Sequence, residues 1–398
     1  MKILYLVHRL PYPPNKGDKV RSYHLLRHLV QQGHQVLLGS FIDDPEDWQH
    51  LPTLRALCAD LHVEGLSPRW SKLMSLTGLL RGEALGLSYY RNPRLQRWVD
   101  AQVQSGVDAI LVFSSTMAQY ALPYNRLPLL VDFVDMDSAK WRDYAPRHAW
   151  PLSWLYAREG RELLRFERLV AKRARASYFV TDAECALFRA AAPESNERVQ
   201  TLCNGVDAEF FDPALDLPNP YQPDELPIVF TGAMDYWPNV DAVQWFVAEM
   251  LPQLRQRHAG LRFHIVGRAP TAAVQALAGE AVHVSGTVPD VRPYLRHAAA
   301  VVAPLRLARG IQNKVLEAMA MARPVVAATS CVAAIDAVAG QELAPAERAE
   351  DYVTQLLAWL DAPGRAAEVG RAARERVLAR YAWGAQLARL DRELEALA

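Results

Sequence analysis

Short apolar segments alternate with helix-forming segments along the chain, and this alternation restricts the fold more than any other sequence feature. Apolar runs of about four to eight residues are typical of strands buried on both faces of a parallel sheet. The stretches between them place apolar side chains at helical spacing, as in the segment that ends at Gly33. The repeated βα pattern predicts an α/β fold with parallel sheets. The predicted strands are 2–7, 36–41, 108–113, 129–134, 178–181, a short strand just before Asn204, 228–232, 262–267, 282–285, 299–304 and the segment that begins at Pro324.

The length of 398 residues favours two domains of about 200 residues each. A segment with four prolines, 213–226, separates the two series of βα units and is the predicted linker. The predicted domains are therefore 1–212 on the N-terminal side and 227–376 on the C-terminal side.

The composition excludes several classes of protein. Lys plus Arg and Asp plus Glu both number 44, which argues against a nucleic-acid-binding protein. The four cysteines are scattered and form no C-x-x-C pair, so neither a disulfide framework nor a zinc site is expected. The apolar run at the start is too short for a signal peptide, and none approaches the roughly 18 residues of a membrane span. We expect a cytoplasmic protein.

The segment 304–327 (PLRLARGIQNKVLEAMAMARPVVA) predicts a strand end, a polar loop at 309–313, a helix over 314–321 and a further strand. A helix that follows a glycine loop presents unpaired N–H groups and the positive end of its dipole. Lys314 adds a positive charge to this anion site. Glu317, one turn later, is placed to accept hydrogen bonds from sugar or ribose hydroxyls.

The loop after the first predicted strand contains PYPPNKG, which cannot be helical before Gly17. Ligands of parallel sheets bind where strand ends meet such loops. Gly17 is therefore a candidate for close approach to a substrate, with Lys16, Lys19 and Arg21 nearby. A solvated basic turn is the alternative.

Three carboxylates, Asp132, Asp135 and Asp137, cluster at the end of the strand in VDFVDMDSAKW. They fit a divalent metal, an acceptor hydroxyl, or capping of the next helix by Asp137 or Ser138. The spacing lacks the glycine and the terminal glutamate of an EF-hand loop, which argues against calcium.

The stretch 66–98 combines six Lys or Arg residues with one acidic residue, and it contains four large aromatic residues. Such a stretch fits either an anionic membrane surface or a helical lid over the N-terminal sheet. The aromatic residues are Trp70, Tyr89, Tyr90 and Trp98.

Gly232 and Gly267 each follow a predicted strand in the C-terminal half. This is the position that touches nucleotides in doubly wound sheets. Neither glycine lies in a G-x-G-x-x-G motif, so an NAD-dependent enzyme has little support.

Taken in order, several motifs resemble those of family 4 glycosyltransferases of the GT-B fold. KGDKVRSYHLLRHL, VDFVDMDSAKW and APLRLARGIQNKVLEAMAMARPVVA resemble more closely the sugar transferases associated with the exosortase/PEP-CTERM system of exopolysaccharide-producing bacteria. The motifs of the wider family are PPNKGDKVRSYHLLRHLVQQGHQV, TLCNGVDAEFFDP, FTGAMDYWPNVDA, HIVGR and KVLEAMAMARPVV.

The resemblance implies two Rossmann-like, doubly wound domains that face a cleft, with a final helix in 377–398 that crosses back to the N-terminal domain. It implies a retaining transferase that moves a sugar from a nucleotide-sugar donor to a glycan or polyprenyl-linked acceptor in exopolysaccharide biosynthesis. No cofactor and no obligatory metal are expected. The implied location is the cytoplasm, with peripheral contact to the inner face of the cytoplasmic membrane as a separate hypothesis.

Carried over by position, the resemblance places Lys314 at the donor diphosphate and Glu317 at the ribose. Gly17 would lie under the diphosphate and sugar, and Gly232 beside the donor. The further candidates are Arg268, Gly310 and Asn313 for the donor, Lys16, Asp132 and Asp137 for the acceptor, and Lys314, Asp135 and Arg309 for catalysis.

Three departures from the family pattern stand out. Arg309 occupies the place of the first glutamate of a paired-glutamate signature, where a cation suits a diphosphate or an acidic sugar instead. Ala233 and Pro238 replace two basic residues, and Ala322 replaces a glycine after the helix. A GT-B sugar- or nucleotide-binding protein with altered catalysis, or a UDP-sugar epimerase of the GT-B fold, is therefore an alternative.

Overall fold

A computed structural model describes residues 1–14, 16–307 and 311–397. The chain forms two compact units, Met1–Cys203 with Leu387–Ala398, and Asn204–Gln386. We call them the N-terminal and the C-terminal unit. Each is built on a parallel β-sheet of its own, as the apolar segments predict.

The sheet of the N-terminal unit has the strand order β3-β2-β1-β4-β5-β6-β7. Its strands are β1 (Lys2–Val7), β2 (Gln35–Ile42), β3 (Asp60–Gly65), β4 (Ala109–Phe113), β5 (Leu129–Val134), β6 (Ala176–Phe179) and β7 (Val199–Thr201). The helices up to β7 are α1 (Gly17–Gln31), α2 (Leu51–Leu57), α3 (Pro68–Ser75), α4 (Thr77–Arg81), α5 (Leu85–Tyr89), α6 (Pro93–Gln104), α7 (Asp137–Tyr144), α8 (Leu152–Arg173) and α9 (Asp182–Ala191).

The sheet of the C-terminal unit repeats this plan with the order β10-β9-β8-β11-β12-β13. Its strands are β8 (Leu226–Thr231), β9 (Leu261–Val266), β10 (Val282–Gly286), β11 (Ala300–Ala303), β12 (Val325–Ala328) and β13 (Ala344–Ala346). The helices are α10 (Trp237–Trp245), α11 (Leu251–Arg257), α12 (Ala272–Gln275), α13 (Arg292–His297), α14 (Asn313–Ala320), α15 (Thr329–Val332), α16 (Ala349–Leu360), α17 (Pro363–Arg380) and α18 (Trp383–Glu395).

In both sheets the direction of winding reverses next to the first strand. The chain runs outward from β1 to β3 and returns to β4 on the other side of β1, and it does the same from β8 to β10 and back to β11. The loops that leave adjacent strands at a reversal diverge and open a crevice, which is where doubly wound sheets bind ligands. The loops after β1 and β4, and those after β8 and β11, are thus the positions that the topology favours for sites.

The central strands are buried and agree with the predicted ones within two residues at most ends. Two edge strands escape the sequence pattern. The strand β3 (DLHVEG) alternates polar and apolar residues and is only half buried, and β13 (APA) is too short to show a period. Edge strands are covered on fewer sides, so their sequences carry a weaker apolar signal.

The sequence pattern predicts a single helix over about 240–258 with Pro252 inside its span, and the structure contradicts both its start and its continuity. The structure has α10 from Trp237, with Pro238 in its first turn, then a π-helical turn at Phe246–Met250, then α11 with Pro252 in its first turn. Proline lacks the N–H that an interior helical position donates, but the first turn does not need that donor. The wide turn therefore ends one helix and lets Pro252 begin another.

The last helix, α18, spans the boundary between the units, because the boundary falls between Gln386 and Leu387. Within the N-terminal unit its carboxylates bind two side chains: Asp391 lies 2.8 Å from His28 Nε2, and Glu393 lies 2.9 Å from Arg175 Nε. No helix among the described residues is long and apolar enough to cross a membrane.

Ala322, in place of the expected glycine after α14, adopts a left-handed backbone with φ of 53°. Gly370 of α17 packs against it, since a Cβ at Gly370 would lie 2.2 Å from the carbonyl oxygen of Ala322. An alanine in this conformation costs roughly 1 kcal/mol relative to glycine. The tight packing of α17 thus holds a strained residue in place.

We expect Ala322→Gly to stabilise the protein by about 0.5–1 kcal/mol, because glycine adopts this φ without the Cβ clash. Urea denaturation followed by circular dichroism measures the change. Ala318→Gly, inside α14, is the control and should destabilise by about 1–2 kcal/mol, because it loses helix propensity and a buried methyl group. Equal destabilisation by both substitutions would contradict the strain at Ala322.

Candidate functional site

Two glycines bring the loops after β8 and β9 into direct contact. Gly232 has φ of 155° and Gly267 has φ of 157°, values that favour glycine. A Cβ at Gly267 would lie 1.6 Å from the carbonyl oxygen of Gly232. The loops are also joined by hydrogen bonds from Gly232 N to Val266 O (3.0 Å) and from Met234 N to Arg268 O (2.8 Å). Two bare backbone turns therefore lie together at this edge of the sheet.

Lys314, in the first turn of α14, extends its side chain to these turns. Its Nζ donates a hydrogen bond to Asn239 Oδ1 (2.6 Å) and lies 4.1 Å from the centre of the Phe230 ring. A Cβ added to Gly232 would come within 2.9 Å of the same Nζ. The ammonium thus lies at the reversal point between β8 and β11, beside exposed backbone.

The environment of Lys314 and Glu317 disfavours charge on both. Burial lowers the pKa of Lys314 to about 7, although the charge of Glu317 opposes the change. Burial likewise raises the pKa of Glu317 to about 7 against the charge of Lys314. Desolvation therefore outweighs the attraction between the two groups. An anionic ligand beside Lys314 would restore its full positive charge.

Asn239 is the residue of this site that the sequence analysis missed. It is buried, receives the hydrogen bond of Lys314 on Oδ1 and donates from Nδ2 to the carbonyl of Ala233 (2.8 Å). Its amide thereby fixes the amine of Lys314 relative to the turn at Gly232. The sequence contained one hint, since Asn239 lies in the first turn of a helix that follows a glycine-bearing strand end.

The other predicted donor residues differ in placement. Arg268 is exposed next to the glycine turn, and Asn313 is the exposed first residue of α14. The predictions for Arg309 and Gly310 lie outside the described residues. Gly17 begins α1 in the N-terminal unit, with open space where its Cβ would be.

In the N-terminal unit, Asp132 takes part in a buried ion pair. Its side chain and that of Arg21 are each 1% exposed, and the guanidinium binds both carboxylate oxygens, at 2.7 and 3.0 Å. Asp132 Oδ1 also accepts the N–H of Val134, whose φ is 67°. Asp132 therefore joins α1 to the end of β5, so its geometry is that of a residue that holds the sheet edge together.

Asp135 and Asp137 remain accessible. Both accept hydrogen bonds from Lys140 Nζ, at 2.8 and 3.1 Å, and both are partly exposed. Burial alone would lower the pKa of Lys140, but the two carboxylates raise it overall. Of the three clustered aspartates, these two have the exposure that contact with a ligand requires.

The predicted capping of the helix by Asp137 or Ser138 is wrong. The N-terminal cap of α7 is Met136, which makes no side-chain hydrogen bond to the helix. Ser138 instead donates through its backbone and its hydroxyl to the buried Glu167, the pKa of which burial raises to about 8. The helix start is thus held by a carboxylate from α8.

The loop after β1 carries a second charged group of residues. Arg9 binds Asp43 (2.8 Å) and Asp18 (2.6 Å), and His8 lies 3.5 Å from Asp18. Burial would raise the pKa of Asp18, but the hydrogen bond from His8 and the charge of Arg9 hold it well below its usual value. Lys16, which directly precedes α1, is half exposed, and its Nζ lies 3.7 Å from Asp44.

Among the described residues, no group of three or more His, Cys, Asp or Glu side chains is arranged to hold a metal ion.

Lys19 is withdrawn from the surface, since it forms a buried ion pair with Asp47 at 2.6 Å. Of the basic residues expected near the substrate, Lys16 is thus the one that stays accessible.

Residues 225–362 match the family model of the glycosyl transferases group 1. The chain is a glycosyltransferase. This segment contains β8 to β13, α14 and the Lys314 site, and the expected enzyme class is thereby confirmed. Sequence comparison with curated proteins finds no match.

Solved structures of GT-B glycosyltransferases resemble the whole chain. HepE of Anabaena in complex with UDP gives a TM-score of 0.66 at 16% identity, with 100% of both chains covered. Sucrose-phosphate synthase of Thermosynechococcus elongatus gives 0.65 at 17% identity, also over 100% of both chains. WaaG, a glycosyltransferase involved in lipopolysaccharide biosynthesis, gives 0.62 at 16% identity over 98% of both. The predicted GT-B fold is confirmed.

We expect Asp132→Asn to destabilise this glycosyltransferase by about 3 kcal/mol or more, because it leaves the charge of Arg21 buried without a partner. The measurement is the midpoint of chemical denaturation. Asp135→Asn is the control; its partner Lys140 is half exposed, so the change should stay below about 1 kcal/mol.

A double variant separates a structural role of Asp132 from a direct one. Arg21→Met with Asp132→Leu removes both buried charges and should recover most of the stability. If Asp132 acts through the fold alone, this variant keeps its glycosyl transfer. Full stability of Asp132→Asn alone would show that the ion pair contributes little.

Proposed function

We propose that this protein is a retaining glycosyltransferase that moves a sugar from a nucleotide-sugar donor to a lipid-linked glycan acceptor in exopolysaccharide biosynthesis. The observation that carries the proposal is the placement of Lys314, a partly desolvated amine beside the Gly232 and Gly267 backbones. Bare backbone turns admit a diphosphate at close range, and the amine supplies the opposite charge.

The similar structures support a nucleotide-sugar donor. HepE has been crystallised with UDP, with UDP and glucose, and with UDP-glucose. In this chain, Lys314 and the start of α14 would bind the diphosphate, and Glu317 would accept hydrogen bonds from the ribose. Arg268, Asn313, Arg309 and Gly310 are further candidates for donor contact.

The reaction breaks the bond between the anomeric carbon and the diphosphate oxygen, and the bonding electron pair leaves with the nucleoside diphosphate. An oxygen of the acceptor forms the new bond to the anomeric carbon, and its proton passes to the departing diphosphate or to water. Negative charge therefore grows on the departing diphosphate, and Lys314 with the N–H groups of α14 stabilises it there. This cation gives charge stabilisation without requiring a metal ion.

For the acceptor we propose the exposed polar groups of the N-terminal unit, Lys16, Asp135 and Asp137. Asp135 is the candidate that would meet the acceptor hydroxyl, because both oxygens of Asp132 already bind Arg21. Three further points complete the proposal: retention, on the family resemblance; membership of the exosortase/PEP-CTERM-associated subgroup, on the motifs KGDKVRSYHLLRHL and VDFVDMDSAKW; and peripheral membrane attachment, on the basic and aromatic stretch 66–98.

A thermal-shift screen against UDP, GDP and dTDP tests the donor site and identifies the nucleotide. A ligand at 100 times its Kd stabilises the folded state by about 2.7 kcal/mol. We expect Lys314→Met to weaken binding of the preferred nucleotide and to lower turnover about a hundredfold, since one charge-stabilising donor contributes about 3 kcal/mol.

The pH dependence gives a second readout of Lys314. In the free protein its amine deprotonates near pH 7, whereas a bound diphosphate favours the protonated form. Affinity should therefore fall as pH rises from about 7.5 to 9, by up to about tenfold per unit. Above pH 7.5, Glu317 and the diphosphate are mostly ionised, so the change reports Lys314.

Two variants provide the controls. Lys314→Arg keeps its charge at every pH and Lys314→Met never has one, so both should bind nucleotide with little dependence on pH above 7.5. Near-normal turnover by a folded Lys314→Met protein would overturn the role of Lys314. Conversion of the nucleotide sugar without any acceptor would indicate an epimerase instead.

A further inference from the structure

Two separate segments of the N-terminal unit expose large apolar side chains. One is formed by α3 and α4, where Leu80 is 92% and Trp70 is 63% exposed, and the other leads into α8, where Trp150 is 81% exposed. We call the two segments together the apolar face. Its exposed members are Trp70, Leu73, Met74, Leu76, Leu80, Tyr144, Trp150, Leu152 and Trp154.

The two segments lie side by side. Arg158 of α8 donates to the carbonyls of Gly78 (3.1 Å) and Glu83 (3.0 Å), and Glu159 accepts the N–H groups of Leu85 and Gly86. Trp154 lies one turn before Arg158, about 6 Å along the helix axis. The segment that contains Leu80 is therefore tied by these hydrogen bonds to the second turn of α8, so the two exposed segments are neighbours in the fold.

The charged residues within the two segments have one sign. Residues 66–82 contain Arg69, Lys72 and Arg81 and no Asp or Glu, and residues 144–158 also contain no Asp or Glu. Arg69, Lys72 and Arg81 are exposed. In a chain with 44 acidic residues, two adjoining segments without any give a surface complementary to anions.

The aromatic residues at the end of 66–98 serve a different purpose. Trp98 donates to Asp60 Oδ2 (3.0 Å) and stacks on His62 with the ring centres 5.4 Å apart. Tyr90 packs against Phe41 and His8. These residues belong to the fold, so a surface contact can involve only the first half of the stretch, which the sequence alone did not divide.

We infer that the apolar face docks on a lipid bilayer that contains anionic lipids. Tryptophan is enriched at the membrane interface, and exposed Arg and Lys side chains reach the anionic head groups beside it. Apolar insertion and surface charge thus act at the same site. The inference rests on the proposed function in one respect, since a lipid-linked acceptor gives the bilayer its purpose.

Co-sedimentation with vesicles tests the face on the full chain. The wild type should bind phosphatidylglycerol vesicles and bind phosphatidylcholine vesicles much more weakly, and binding should weaken between 0.05 and 0.5 M salt as the charges are screened. The combined variant Trp70→Ser, Leu80→Ser, Trp150→Ser removes the most exposed side chains. It should bind at least about a hundredfold more weakly, because each buried apolar side chain contributes about tenfold or more.

Two comparisons make the result specific. Leu169→Ser, which changes an exposed leucine farther along α8, should leave vesicle binding unchanged. Arg69→Gln, Lys72→Gln and Arg81→Gln together should remove the preference for phosphatidylglycerol. A circular dichroism spectrum and a nucleotide-induced thermal shift like those of the wild type show that each variant is folded.

The outcomes separate this inference from the proposed function. Docking is overturned if the wild type does not bind the vesicles at low salt, or if the combined variant binds them as tightly as the wild type does. Either result counts even when the nucleotide-induced thermal shift persists. Vesicle binding without any nucleotide-induced shift supports docking and contradicts the donor site. A change from dimer to monomer in light scattering of the combined variant would assign the face to contact between two copies and overturn docking.

Discussion

The contact between two glycine backbones sets the geometry of the site in the C-terminal unit. Because neither Gly232 nor Gly267 carries a Cβ, the turns after β8 and β9 touch. The side chain of Lys314 extends to these turns and is held there by its hydrogen bond to Asn239. Any larger residue at Gly267 would push the turns apart. The reversal of the strand order brings α14 to the same edge, so topology and two missing side chains together place the amine of Lys314 beside the two turns.

Much of this arrangement could be predicted from the sequence, since buried parallel strands and glycine-loop helix starts leave strong local signals. The central strands, the helix at Lys314 and the glycine strand ends all appear in the pattern of residue types. The edge strands β3 and β13 and the break before Pro252 left weaker signals. Asn239 escaped because its role depends on a lysine 75 positions away.

Buried charges show the same limit more sharply. Lys19 and Arg21 follow Gly17 in a basic segment that suggests a substrate loop, yet both are buried in ion pairs with Asp47 and Asp132. The partners are 28 and 111 positions away, and no local pattern indicates them. Desolvating a charge is tolerated only when its partner binds it well, so these pairs fix α1 to β5 and to the helical turn after β2. The sequence identified charged residues; their burial is a property of the fold.

The path of the chain through the two units has a consequence for how the protein is made. The N-terminal unit includes Leu387, Leu390 and Leu394 of α18, all buried, although these residues are separated from Cys203 by the entire C-terminal unit. A ribosome therefore synthesises the whole C-terminal unit before the N-terminal unit receives its last helix. Until then, the surface that α18 covers stays open on the nascent chain. The N-terminal unit thus emerges first but receives its last helix only after the C-terminal unit has been synthesised.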